Sequence, residues 1–473
     1  MRGSYDFTPE MPLGLGYLAS TLLQAGFKVS IIDCLGEALN KRTVENGLCT
    51  LGLTIPEVQD RIREEKPDLI GIACMFSSRF QIVKKIAEAA KTIDYTVQVV
   101  VGGIHPTIRP FEVLAESSVD FAVLGEGESA ILNLAMGRSP EEMDGVAYKD
   151  SGEIHVNPKT RYIEDLDTIP FPARHLFNPE YFQESRRGLF RNTVYSRNTV
   201  ITSRGCPNHC SFCGSHSQWG YKWRARSPEN VVQELKQFKE AYGIRHVSFD
   251  DDNLTLNRKR MVDLCNLMIQ EKLDLKWDTP NGVSIITLDR ELLSLMKKAG
   301  CYSLTLAVES GDPYILKNVI KKPLTLKKAK TIAHDCKKVG IEPHGFFVIG
   351  MVGDCSVTLR NSLDFLRTLP LNDVGVFIAK PYPDTELYNE CVRKGYIQAQ
   401  NFSELITVDV KKDLPCIATP WLSTDEVLAW RKRFYKEFQK ASLRHLALYA
   451  FRKVRQMVLP YANDEKGFSG RLG

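Results

Sequence analysis

Three of the twelve cysteines fall at 206, 210 and 213, in the run RGCPNHCSFCG, and the others are scattered. Thiolates gathered at gaps of three and two residues hold a metal ion or a metal cluster. A structural zinc site takes four protein ligands, usually as two separated pairs. His209 lies between the cysteines and His216 just after them, and neither supplies a zinc-finger pairing. Thiolates also hold a 4Fe–4S cube, which wants four. Three ligands leave one iron open, as a catalytic metal keeps an open position for its substrate. The incompleteness is read here as the function.

The elements that must position these thiols follow from patterning. Between 198 and 385 six short apolar runs, NTVITSR, HVSFDD, LKWDTPN, YSLTLAVE, EPHGFFVIG and DVGVFIAKP, alternate with amphipathic helices. Such alternation predicts parallel strands with helices between them. Six units suit a partial barrel of TIM-like (β/α)6 type, with chemistry at the carboxyl ends of the strands. Before this zone, helices in PLGLGYLASTLLQAG, IPEVQDRIREEK and QIVKKIAEAAKTI alternate with strands in KVSIID, DLIGIAC, TVQVVVGG and FAVLGEGE. That pattern predicts an α/β domain with a flavodoxin-like, Rossmann-type parallel sheet over 1–135. Residues 136–195, with prolines at 140, 158, 170, 172 and 179, read as a connector holding at most a hairpin in GVAYKDSGEIHV. The core zone is set at 196–390 and a carboxyl-terminal helical region at 391–473.

The whole-chain numbers narrow the class. At 473 residues the chain accommodates two or three domains. A net charge of +5 lacks the concentrated basic face of a nucleic-acid binder, so no nucleic-acid partner is expected. There is no apolar run of signal-peptide or membrane-span length. Single cysteines such as Cys34, Cys74, Cys265, Cys301 and Cys336 suit reduced core thiols, so a cytoplasmic protein is expected. Arg and Lys occupy nine positions between 431 and 455, interleaved with aromatic residues. Packed helices with solvated basic faces explain this. So does peripheral contact with anionic lipid or a lipid-like substrate.

The CxxxCxxC spacing directly after a strand, with Phe212 before the third cysteine, resembles the radical S-adenosylmethionine (SAM) superfamily. The resemblance implies that Cys206, Cys210 and Cys213 hold a 4Fe–4S cluster whose open iron takes the amino and carboxylate groups of SAM. An electron from a donor such as flavodoxin or ferredoxin then cleaves SAM to a 5′-deoxyadenosyl radical. The resemblance places Phe212, Asp251, Asp252, Glu309, Ser310 and Gly350 around SAM: FDDDNLT holds its ammonium, and ESG lies near its methionine and ribose. Asp252 or Asn253 could equally cap the next helix. Met351, Asp354 and Asp384 depart from the proline, glutamate and glycine usual in relatives.

PLGLGYLAS, VVVGGIHPT and VLGEGES, in this order ahead of RGCPNHCSFC, resemble the cobalamin-binding module of the cobalamin-dependent radical SAM class. This implies cobalamin contacts from Ser77, Gly102, Gly103, His105, Gly125, Glu126 and Gly127. No DxHxxG loop offers a lower cobalt ligand, and His105 suits either tail contact or loop packing. Relatives begin with a strand that sits beside KVSIID in the sheet, and this sequence begins inside the following turn. Unpaired backbone groups along that gap would cost about 1–3 kcal/mol for each buried one. The expectation is that the natural chain starts further upstream.

The resulting expectation is a cobalamin-dependent radical SAM methyltransferase acting on an unactivated carbon through methylcobalamin, with cyclisation or rearrangement as the alternative. No residue is singled out as catalytic. A methylthiotransferase would need its extra thiols grouped, and Cys34, Cys49 and Cys74 are not. A peptide-modifying enzyme would want a cysteine-rich tail, where only Cys391 and Cys416 occur. A binding protein with a relic cluster site is the non-enzymatic rival.

Overall fold

The computed structural model describes residues 10–45, 48–182, 198–398 and 414–440. In the first zone three parallel strands, Leu69–Ala73, Gln98–Gly102 and Phe121–Val123, lie side by side in that order. Val99, Val100 and Val101 are all buried, as a strand covered on both faces requires. Val99 and Val101 pack with Val58 and Ile62 of the helix Ile55–Glu65 and with Val83 and Ala87 of Phe80–Ile93. Val100 packs the other way, with Ile131 and Leu134 of the helix Glu128–Ala135.

The strand expected at KVSIID does not form: residues 28–33 join no ladder. A strand exists by its hydrogen-bonded neighbour, and the described residues provide none on that side of Leu69–Ala73, which pairs with Gln98–Gly102 alone. The segment is held instead through Asp33, which accepts from Tyr181 Oη (2.6 Å), Leu35 N and Gly36 N. A short hairpin that patterning did not suggest, Arg42–Glu45 with Leu48–Leu51, follows it. The hairpin assigned to the connector, Val146–Asp150 with Glu153–Val156, pairs antiparallel onto Phe121–Val123. The sheet is therefore mixed and five-stranded rather than wholly parallel.

All six strands expected in the second zone are present and parallel. Thr199–Val200, His246–Phe249 and Lys276–Asp278 form one set; Ser303–Glu309, Glu342–Ile349 and Asp373–Ile378 form the other. Single parallel bridges, Trp277 to Cys301 and Val283 to Leu306, join the sets. Among the described residues no ladder joins the first strand to the sixth. Val247, Phe249, Trp277, Leu304, Leu306, Phe347 and Ile349 share one apolar core with the covering helices. Local signals set the helix bounds: Pro228–Tyr242 begins on Ser227, whose side chain accepts from Asn230 N, and stops at Gly243 with φ +65°. Neither Asp252 nor Asn253 caps the next helix; Arg258–Gln270 starts on Asn257, whose side chain accepts from Arg260 N.

At the carboxyl end, residues 424–440 form a helix. Val427, Trp430 and Phe434 are buried in the second-zone core, Phe434 against Phe347 (6.0 Å between rings), and Tyr435 Oη accepts from Val376 N. These aromatic residues thus serve packing. The rest of the basic stretch, from 441, lies outside the described residues. No helix among the described residues is long and apolar enough to cross a membrane.

Candidate functional site

The cysteine loop follows the short strand Ser203–Arg204 and is fixed by Ser211, between two of the thiols. Ser211 N donates to Ile320 O (3.0 Å), its Oγ donates to Val319 O (2.7 Å), and its carbonyl accepts from Leu387 N (2.8 Å). The loop is thereby tied to the π-helical turn Ile315–Val319 and to the helix Glu386–Lys394. All three thiols are free and partly exposed. Burial pushes Cys210 up to about 12, opposed by the charge of Lys322, and Cys213 up to about 11. Among the described residues no three His, Cys, Asp or Glu side chains are gathered to hold a single ion. A single zinc needs its sulfurs about 2.3 Å from one centre. A cube carries its thiolates on separate corners and asks for a wider triangle. Asn253 Nδ2 donates to Cys206 Sγ (3.8 Å), the kind of bond that orients a metal-binding sulfur.

The residues assigned to SAM divide into two groups. Asp252 is exposed and meets Ser215 Oγ. Asp251 is buried and accepts from Thr202 N, Thr202 Oγ1 and Ser203 Oγ, so its carboxylate is committed to the strand that launches the cysteine loop. Ser310 is likewise committed, to Ser362 Oγ (3.0 Å) and Asp312 N (3.1 Å). Phe212 packs beside Ile315, Met351 and Leu387. Glu309 sits at a register shift with φ +66°, a conformation that costs about 1–3 kcal/mol and persists where surroundings impose it. Its carboxylate pairs with Lys322 Nζ at 2.8 Å. Lys322 escaped sequence reasoning, because a lysine in VIKK reads as surface charge.

Gly350 takes φ +82°, and its N–H and that of Met351 both donate to Asp354 Oδ2 at 3.0 Å. Burial pushes the Asp354 carboxyl up to about 6, despite these bonds and one from Thr358 Oγ1. Its ordinary value in the unfolded chain is about 3.9, so between about pH 4 and 6 the folded chain keeps a proton that the unfolded chain releases. Stability should therefore fall as pH rises through that window. Denaturant titrations at pH 4.5 and 7 should show Asp354→Asn losing less stability than the parent over this interval; equal slopes would refute the assignment.

Of the glycine motifs of the first zone, VVVGGIHPT and VLGEGES lie at the carboxyl ends of the strands Gln98–Gly102 and Phe121–Val123, whereas PLGLGYLAS opens the helix Leu13–Gln24. Thr107 Oγ1 donates to Gly103 O and accepts from Gly125 N, fastening two of them together. A Cβ on Gly103, at φ +114°, would meet Cys74 O at 2.8 Å, and one on Gly127 would meet Leu18 at 3.3 Å. These two glycines thus permit close packing within the protein. Gly102 is open beyond Val123. His105 is buried, with Nδ1 on Ser77 Oγ at 2.9 Å, and burial holds it down at about 4 and hence neutral. Its Nε2 is buried with no partner among the described residues, while Met75 and Phe76 beside Ser77 are exposed. An unmet hydrogen-bonding atom and bare apolar side chains at strand ends fit a bound corrin. Glu126 does not join them: its carboxylate accepts from Arg204 (3.1 Å), Arg224 (2.7 Å) and Ile163 N. That ion pair, Arg204 with Glu128 and Gln218 Nε2 with Gly125 O bind the first zone to the cysteine loop's root.

The family model described as a B12 binding domain matches residues 8–135, and that of the radical SAM superfamily matches residues 200–368. The chain is 30% identical over 462 residues to the cytidylyl-2-hydroxyethylphosphonate methyltransferase of Streptomyces wedmorensis, covering 90% of this chain and 86% of that one. This chain belongs to the cobalamin-dependent radical SAM family. Family relatives also include an anaerobic magnesium-protoporphyrin IX monomethyl ester cyclase of Rubrivivax gelatinosus, 27% identical over 80% of this chain and 66% of that protein. The fold is that of TsrM from Kitasatospora setae, a radical SAM methyltransferase solved with cobalamin and a [4Fe–4S] cluster bound: TM-score 0.67, 19% identity, 82% of this chain and 76% of that one.

Proposed function

We propose that this enzyme methylates an unactivated carbon of a small molecule, with a 4Fe–4S cluster on Cys206, Cys210 and Cys213, SAM beside it, and cobalamin on the first zone. When bound, these groups supply a 5′-deoxyadenosyl radical and a transferable methyl group. The chain's own residues hold and shield them. Ser211 anchors the thiol loop, Asn253 orients Cys206, and Asp252 is the carboxylate left open to a cation. Ser77, Gly102 and His105 offer hydrogen bonding and close backbone approach on the cobalamin side.

The observation that carries the reading is the buried bridge Arg204–Glu126 and Arg204–Glu128. It ties the glycine loop VLGEGES to the residue two before Cys206 and so holds two cofactor surfaces in one fixed relation. Methyl transfer from one centre to a carbon activated at the other needs that geometry. Anaerobic reconstitution followed by product analysis tests it. Methylation yields S-adenosylhomocysteine and 5′-deoxyadenosine together, in comparable amounts. 5′-Deoxyadenosine without S-adenosylhomocysteine would mean cyclisation or rearrangement instead, the activity named for the Rubrivivax relative.

A further inference from the structure

Lys322 is a nearly buried cation at the end of the turn that anchors the thiol loop. Its N–H donates to Leu316 O (2.9 Å), closing the π-helical turn whose end accepts both hydrogen bonds from Ser211. The same backbone therefore places Cys210, Cys213 and the Lys322 side chain. Across the turn, Glu309 reaches Lys322 Nζ at 2.8 Å from a left-handed backbone that only its surroundings can impose. The two side chains are 11% and 9% exposed, so solvent and salt screen them far less than a surface pair.

We propose that Lys322 and Glu309 are a positioning pair that sets the reduction potential of the cluster. This rests on the reading that Cys206, Cys210 and Cys213 hold one. Taking one electron from a low-potential donor adds negative charge to an already anionic centre. A neighbouring cation lowers the cost of that electron and a neighbouring carboxylate raises it. With both present the effects largely offset; with one removed the other acts alone. Nothing in a purely structural role would give the two residues opposite signs.

The test is an EPR-monitored redox titration of anaerobically reconstituted full-length protein without SAM, after iron and sulfide have been measured. Lys322→Met should move the midpoint to a more negative value, Glu309→Gln to a more positive one, and the double variant back toward the parent. Shifts of the same sign, or none, would overturn the proposal. If Lys322→Met takes up no iron, Glu309→Gln decides alone: a positive shift supports the pair and an unchanged midpoint refutes it. A parent protein that binds no iron would instead remove the cluster reading beneath it.

Discussion

Replacing Cys206, Cys210 and Cys213 together by alanine will abolish iron uptake and 5′-deoxyadenosine formation while leaving the fold intact. The two halves of that outcome have separate causes. Iron is held by thiolates, and among the described residues no group of three His, Cys, Asp or Glu is gathered that could take their place. The fold does not need the sulfurs, because the loop is fastened by Ser211 to Ile320, Val319 and Leu387, and all three thiols are partly exposed. Each single substitution leaves two anchors, so partial loading with a cluster that is lost on handling is expected. Cys336→Ala is the control: this thiol is buried in the core among Ile332, Ala333 and Leu304, so the variant should lose stability and keep its iron. Iron and sulfide assays with far-ultraviolet circular dichroism read both halves. Full iron content in the triple variant would end the cluster assignment.

What the amino-acid order made legible is what depends on residue type and local spacing. The thiol triplet stands out because no core requires it, and the six second-zone strands stand out because buried parallel strands are continuous apolar runs. KVSIID has the same composition but fails as a strand, since ladder pairing depends on a neighbour that patterning within the run does not report. In FDDDNLT the order reveals three acids without saying which faces inward; burial and the Thr202 and Ser203 bonds take Asp251 and leave Asp252. Glu126 reads as a cofactor contact because glycines flank it, yet two arginines from 78 and 98 residues away claim its carboxylate. Lys322 and Arg204 look like solvated surface charges in VIKK and TSRG. Only the tertiary fold buries them, against carboxylates 13 and 76 residues away that no local pattern assigns as partners.

Arg204→Met should destabilise the protein by about 3–5 kcal/mol at neutral pH, the range for leaving a buried charge without its partner. Ser203–Arg204 pairs antiparallel with Arg224–Ala225, which sets Arg204 directly opposite Arg224. Like charges so placed repel, and Glu126 Oε1 resolves this by accepting from both guanidiniums. Arg204 also donates to Glu128 at 2.6 Å. Burial pushes the Glu128 carboxyl up, but Arg204 outweighs it and holds the group below the usual carboxylate range. In the parent that depressed value contributes stability above about pH 4.3 that is lost as pH falls further. Without Arg204, burial, the largest influence on Glu128, is opposed only by a backbone hydrogen bond and the charge of Lys159, so the sign reverses: the carboxyl rises and the variant gains relative stability on acidification. Glu126 keeps Arg224, whereas Glu128 is left alone, so adding Glu128→Gln should recover much of the loss. Denaturant titrations at pH 5 and 7.5 should show the gap between variant and parent narrowing at the lower pH. A gap that is constant with pH, or unmoved by Glu128→Gln, would mean that Arg204 acts through its packing on Tyr17 and Trp219 rather than through its charge.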